Sequence, residues 1–188
     1  MNFFRKRALL TVSAVAVAAL ALTGCATNNS GASQGGDDAT IRIGSLYEPV
    51  NLSNVAGGGQ GVTEALTGNV YESLFRLNDD GSTSPLLATD TQVSDDGLTY
   101  TFTIRDDVTF HSGKALTSAD VKSSLEAVVA EDSQSARKSS FEVMDSIETP
   151  DDVTVVVTLK QRSISFPYLL SYVWIVNPDA GNIEQSED

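Results

Sequence analysis

Any chemistry in this chain has to be built from a narrow set of reactive side chains. The sequence holds one histidine, His111, and one cysteine, Cys25. His111 sits between Asp107 and Asp120, so the arrangement it could join is a Ser-His-Asp relay, in which a carboxylate orients the imidazole that draws a proton from a serine. That relay needs three groups converging in space, and the spacing along this chain does not supply the convergence. A lone histidine and a lone cysteine fall short of the four nitrogen or sulfur ligands of a conventional zinc site. Asp95-Asp96 and Asp106-Asp107 are short carboxylate pairs rather than the clustered loop oxygens that calcium takes, and they read as turn formers. The glycines Gly57-Gly58-Gly59 and Gly61 lack the Gly-Lys-Ser/Thr that would make them a phosphate loop. The residues therefore name no catalytic group, no metal ligand and no cofactor. They give an enzyme reading almost no support.

Charge narrows the partners. The chain carries 12 Lys+Arg against 25 Asp+Glu, a formal net charge of −13. Such a surface repels phosphate backbones, which excludes nucleic acid as a partner. The first residues are a targeting segment. Arg5, Lys6 and Arg7 form a positive end, Ala8 to Leu22 is apolar and small, and Leu22-Thr23-Gly24-Cys25 follows. That ending resembles a bacterial lipobox, in which Cys25 takes a diacylglyceryl thioether and becomes the new N-terminus. Removing residues 1–24 takes the formal net charge from −13 to −16. Residues 25–39, rich in Ser, Gly and Asn, cannot bury enough apolar surface to order and read as a flexible tether. The expected location is the outer face of the cytoplasmic membrane, lipid-anchored.

The pattern behind the tether sets the elements. Residues 40–47 alternate as a first strand, ended at Glu48-Pro49, and 48–61 are an open glycine-rich loop. Residues 62–75 are helical in pattern, with Val62, Leu66, Val70 and Leu74 on one face. Leu98, Tyr100, Phe102 and Ile104 alternate with Thr99, Thr101, Thr103 and Arg105, so this is a strand; the turn Asp95-Asp96-Gly97 sends it back onto Gln92-Val93-Ser94 as a hairpin. Thr117 and Asp120 have capping-box spacing, and Val121, Leu125, Val128 and Val129 mark one helical face after them. Phe141–Ile147 and Val153–Leu159 read as two strands about a turn at Thr149-Pro150-Asp151-Asp152, the second interior to a sheet. Phe166 to Val176 is the last apolar stretch, and residues 178–188 are a polar tail.

An ordered series of motifs in 85–122 carries a resemblance: Pro85-Leu86-x-Ala88, Asp96-Gly97, Tyr100-x-Phe102-x-Ile104-Arg105, Val108-x-Phe110-His111-x-Gly113 and Leu116-Thr117-x-x-Asp120-Val121. In this order they resemble the family 5 extracellular solute-binding proteins of ABC importers, of the dipeptide, oligopeptide and nickel-binding type. Val70-Tyr71-Glu72-x-Leu74 and Phe166-Pro167-x-Leu169-Leu170 fit the same family. Two positions depart from its pattern: Thr91 stands where a tryptophan is usual, and Ser118 where an alanine is usual. The resemblance covers residues 40–177 and implies the N-terminal lobe portion of a two-lobed, periplasmic-binding-protein-like (type II) fold, incomplete because chains of this family are much longer. It implies hinge closure about a small peptide or related solute and docking on ABC permease subunits. In the resembled family the chain after the first strand runs past the ligand cleft, so Glu48, Pro49, Val50 and Asn51 are candidate ligand-binding residues, while Tyr71 reads as core.

The expected fold is thus α+β, with three or four strands around two helices. The expected function is a membrane-anchored substrate-binding lipoprotein of an ABC importer, truncated. The alternative is a residual surface lipoprotein that acts as an interaction module without transport.

Overall fold

The computed structural model describes Gly44 and residues 51–180. The leader, Cys25, the tether, Glu48, Pro49, Val50 and all of the expected first strand except Gly44 lie outside the described residues. The elements, in chain order, are α1 (Gly59–Leu66), β1 (Phe75–Leu77), β2 (Thr83–Pro85), β3 (Ala88–Val93), β4 (Thr99–Ile104), α2 (Ser118–Val129), α3 (Lys138–Phe141), β5 (Met144–Asp151), β6 (Thr154–Leu159) and α4 (Phe166–Leu170), followed by a 3-10 turn at Pro178–Ala180. They make an α+β unit with a two-stranded ribbon, β1-β2, and a four-stranded antiparallel sheet in the order β3-β4-β6-β5.

Period-two patterning builds that sheet. Phe102 stands opposite Val155 and Tyr100 opposite Val157, so the apolar sides of β4 and β6 coincide. Phe102, Val155 and Val157 are fully buried, and each such side chain contributes about 1.5–3 kcal/mol by leaving water. The amphipathic α2 covers this face with Val121, Leu125 and Val128. Phe141 and Phe166 fill the space beside it, edge to face at 6.2 Å between ring centres. The expected hairpin forms, with β3 pairing β4 through Val93 and Tyr100, and β6 is interior as its two-sided apolar pattern indicates.

Several expectations need correcting. The helix expected over 62–75 ends at Leu66, because Gly68 adopts φ +75° and the N–H groups of Asn69, Val70 and Tyr71 all turn back onto the Leu66 carbonyl. Val70 is exposed, and Leu74 is buried from a bend just before β1 rather than from a helix. Its start also moves, since the last residues of the expected loop, from Gly59, are helical. Phe141 closes a short helix rather than opening a strand. β5 runs through the expected turn to Asp151; Pro150 is tolerated there because β5 is an edge strand whose register shifts between Glu148 and Asp151. The described residues hold six strands where three or four were expected, the extra ones being the short ribbon β1-β2. Ordered chain also continues past Asn177 into the 3-10 turn.

The two departures at Thr91 and Ser118 have local answers. Thr91 is half-buried on the edge strand β3, opposite Phe102. Ser118 is buried at the start of α2, where its hydroxyl donates to the Asp151 carbonyl and its N–H to the Asp152 carbonyl at 2.8 Å. The hydroxyl thus ties α2 to the β5–β6 turn.

Candidate ligand-binding site

A cavity of about 1230 Å³ opens where four segments meet: the loop 51–56, the turn 68–72, the loop 108–112 and the extended run 173–178, with α2 behind them. Each wall is fixed by its own bonds. In the first loop Asn51 Nδ2 donates to the Ala56 carbonyl at 2.8 Å and Asn51 Oδ1 accepts the Ser53 N–H at 2.9 Å. Gly58 closes that loop against the Ser53 and Asn51 carbonyls, at positions where a Cβ would come within 2.5 and 2.7 Å. The Gln134 N–H donates to the Val55 carbonyl at 2.8 Å and so ties the loop to the chain after α2.

The opposite wall is aromatic. Tyr71 stacks on Trp174 with ring centres 4.6 Å apart and planes 12° from parallel. The indole N–H of Trp174 donates to Thr67 Oγ1 at 2.9 Å, which fixes the ring. Burial pushes the Tyr71 hydroxyl above the ordinary tyrosine pKa. Next along, the Ile175 N–H donates to the Glu72 carbonyl at 2.9 Å, and the Val176 N–H donates to Ser124 Oγ at 3.0 Å. Ser124 in turn donates to the Asp120 carbonyl at 2.8 Å.

Lys114 pins the rim. Its ammonium donates to Asp120 at 2.8 Å, to Asp179 at 2.9 Å and to Asn177 Oδ1 at 3.3 Å. The Asp120 and then the Asp179 carboxylate hold the Lys114 pKa above the ordinary lysine value. Gly113, at φ +84°, forms the tight turn that carries Lys114 there. One cation thereby joins the loop 109–115, the first turn of α2 and the outgoing chain at 177–179.

Of the candidate binding residues, Asn51 lines this cavity, although its amide is already occupied within its own loop; Glu48, Pro49 and Val50 are outside the described residues. His111 lies on the cavity edge, exposed. Among the described residues no three metal-ligating side chains gather, and no helix is long and apolar enough to cross a membrane. Gly31-Ala32-Ser33-Gln34-Gly35 does spell Gly-x-Ser-x-Gly, but it lies outside the described residues, in a Ser/Gly/Asn-rich sequence with no apolar alternation directly before it to mark the strand a nucleophile elbow follows. Tyr71 is half-buried at the cavity wall rather than in the core, which corrects its reading from sequence. Trp174 was the residue sequence reasoning missed. It is the single tryptophan, hidden inside an apolar run, and its uniqueness was the available signal.

Residues 82–188 match the family described as bacterial extracellular solute-binding proteins, family 5 Middle. The chain belongs to that family. Its members bind solutes and are not enzymes. Among relatives of this family 5 protein, the glutathione-binding protein GsiB of Pectobacterium atrosepticum is 32% identical over 129 residues, covering 69% of this chain and 24% of GsiB. The oligopeptide-binding protein AppA of Bacillus subtilis is 29% identical over 172 residues, covering 86% of this chain and 31% of AppA. Among solved structures, the periplasmic binding protein AgaA of A. tumefaciens R10, in complex with agropinic acid, superposes with a TM-score of 0.64 at 33% identity, over 72% of this chain and 29% of that one. AppA of Bacillus subtilis in complex with a nonapeptide gives 0.66 at 26% identity, over 72% and 27%. The fold is therefore part of a type II periplasmic binding protein, and the chain spans about a quarter of the length of GsiB.

Proposed function

We propose that this chain is the N-terminal part of the substrate-binding component of an ABC importer, held at the outer face of the cytoplasmic membrane by lipid on Cys25, and that it takes small peptides or related solutes. The observation that carries this reading is the coincidence of family 5 membership with a large open cavity walled by Tyr71 and Trp174. Relatives whose names specify glutathione and oligopeptides support the peptide class. In this reading residues 1–24 are a cleaved leader, 25–39 the tether, 40–177 the binding portion and 178–188 a tail, with Glu48, Pro49, Val50 and Asn51 on the ligand side. A second lobe closes over the cavity, and the closed form meets the permease.

Because one wall is only part of such a site, this chain alone should retain no labelled tripeptide at micromolar concentration and bind only weakly, near about 1 mM. Saturable micromolar binding would contradict the partial-site reading. Cells fed a labelled fatty acid should incorporate it into the chain and lose that label with Cys25→Ser; an unlabelled, soluble product would remove the anchor.

A second reading, a surface lipoprotein module without transport, is favoured by one observation. Among the described residues every buried side-chain nitrogen and oxygen has a partner, so the unit closes its own core. Cell-surface partners captured with the chain, together with unimpaired peptide uptake in its absence, would select that reading.

A further inference from the structure

Building on the reading of the cavity as a ligand site, we propose that this wall selects ligands of net positive charge over ligands of net negative charge. Glu72 and Asp132 line the cavity, and neither lysine nor arginine lines it. Arg105 and Lys114, close in sequence to the lining loop 108–112, are each paired with carboxylates, while Arg137, beyond the lining residue Gln134, lies over the Tyr172 ring. Arg105 donates to both oxygens of Asp107, at 2.8 and 3.0 Å. Lys114 is shared by Asp120 and Asp179. Glu72 and Asp132 make no salt bridge among the described residues, although Glu72 adds to the field that holds up the Arg105 pKa. The unsatisfied charge on this wall is therefore negative.

Position makes that charge effective. Glu72 follows Tyr71 directly, and its carbonyl accepts from Ile175, next to Trp174. Glu72 thus lines the cavity next to the stacked rings in the chain, where a ligand that displaces water strengthens the field it meets. An ammonium or guanidinium brought to Glu72 also approaches the Tyr71 ring, whose quadrupole attracts cations. A carboxylate-bearing ligand finds no free cation here and must lose hydration against two like charges. General acidity would act evenly over the whole surface, whereas this effect depends on two named carboxylates.

Trp174 supplies the readout, because as the only tryptophan its fluorescence reports this cavity alone. The probes are Ala-Phe-Lys with an amidated C-terminus and Ala-Phe-Glu with an acetylated N-terminus, matched in size and opposite in charge. Each is titrated into the full chain at low ionic strength, up to the millimolar range. The amidated cationic tripeptide should bind at least about three-fold more tightly, a ratio of the size exposed ion pairs give, and the ratio should shrink in high salt. The double variant Glu72→Gln, Asp132→Asn should abolish the preference. These side chains hold no other element in place, and an unchanged circular dichroism spectrum verifies the fold. Equal binding of the two peptides, tighter binding of the acidic one, or a preference that survives in the double variant overturns the charge inference while leaving the cavity a binding site. No saturable response to either peptide overturns the binding reading and this inference with it.

Discussion

Asp120 is 2% exposed yet charged, which is tolerable because both of its oxygens are occupied. One takes the Lys114 ammonium at 2.8 Å; the other takes the Thr117 N–H at 3.0 Å and the Thr117 hydroxyl at 2.9 Å. Asp120→Ala therefore strips a helix N-terminus of its acceptor and a cation of its buried partner. Urea denaturation should show a loss of about 2–4 kcal/mol, the range for breaking a buried polar network. Lys114→Met should destabilise in the same direction but less, since water reaches that ammonium and can replace it. A larger loss for the lysine variant would reverse this ordering. Asp151 acts in the β5–β6 turn, which Ser118 ties to the start of α2. The Val153 N–H and then the Thr154 hydroxyl, each at 3.0 Å, hold its pKa below the ordinary carboxylate value. A lowered folded pKa gives stability that is present above the unfolded value, about 3.9, and is lost as pH falls through the folded one. Thermal melts of the wild type should thus fall off below about pH 4, and Asp151→Asn should flatten part of that fall. Lys114 works in the other sense: its raised pKa gives stability that is present below the unfolded lysine value, about 10.4, and is lost as pH rises through the raised one.

Elements show where sequence was a sufficient guide and where it was not. β4 and the helix face Val121, Leu125, Val128 were legible because burial on one side writes a period into neighbouring residues. The Thr117–Asp120 pair was legible for the same local reason. The end of α1 was not, because Leu66, Val70 and Leu74 continue a helical period that the backbone abandons at Gly68. Phe141 kept its burial but not its strand, since a large apolar residue suits either state. The Tyr71–Trp174 stack joins residues far apart in sequence, so no local pattern could announce it. The β3–β4 turn offers a test of what was legible. Gly97 has φ +69°, and its nearest neighbour is the movable Arg162 side chain. The cost of Gly97→Ala should then come from backbone conformation, about 1–2 kcal/mol in a urea midpoint shift. A neutral result would mean that the hairpin accepts another turn.

At the scale of the whole molecule, a self-contained core and an open cavity stand side by side. The core closes around Phe102, Phe141 and Phe166, while the cavity wall is braced by hydrogen bonds at Lys114, Ser124 and Thr67. Rigid support of an open wall is what ligand capture requires, because groups already in place need no ordering when the ligand arrives. In the proposed reading, the excess of Asp and Glu and a lipid on Cys25 belong to a receptor held outside the membrane. The most direct measurement is uptake of labelled tripeptides by cells with the gene deleted, then restored as wild type or as Cys25→Ser. The account predicts that uptake falls on deletion, returns with the wild-type gene and returns only weakly with Cys25→Ser. Uptake unchanged by deletion would contradict it.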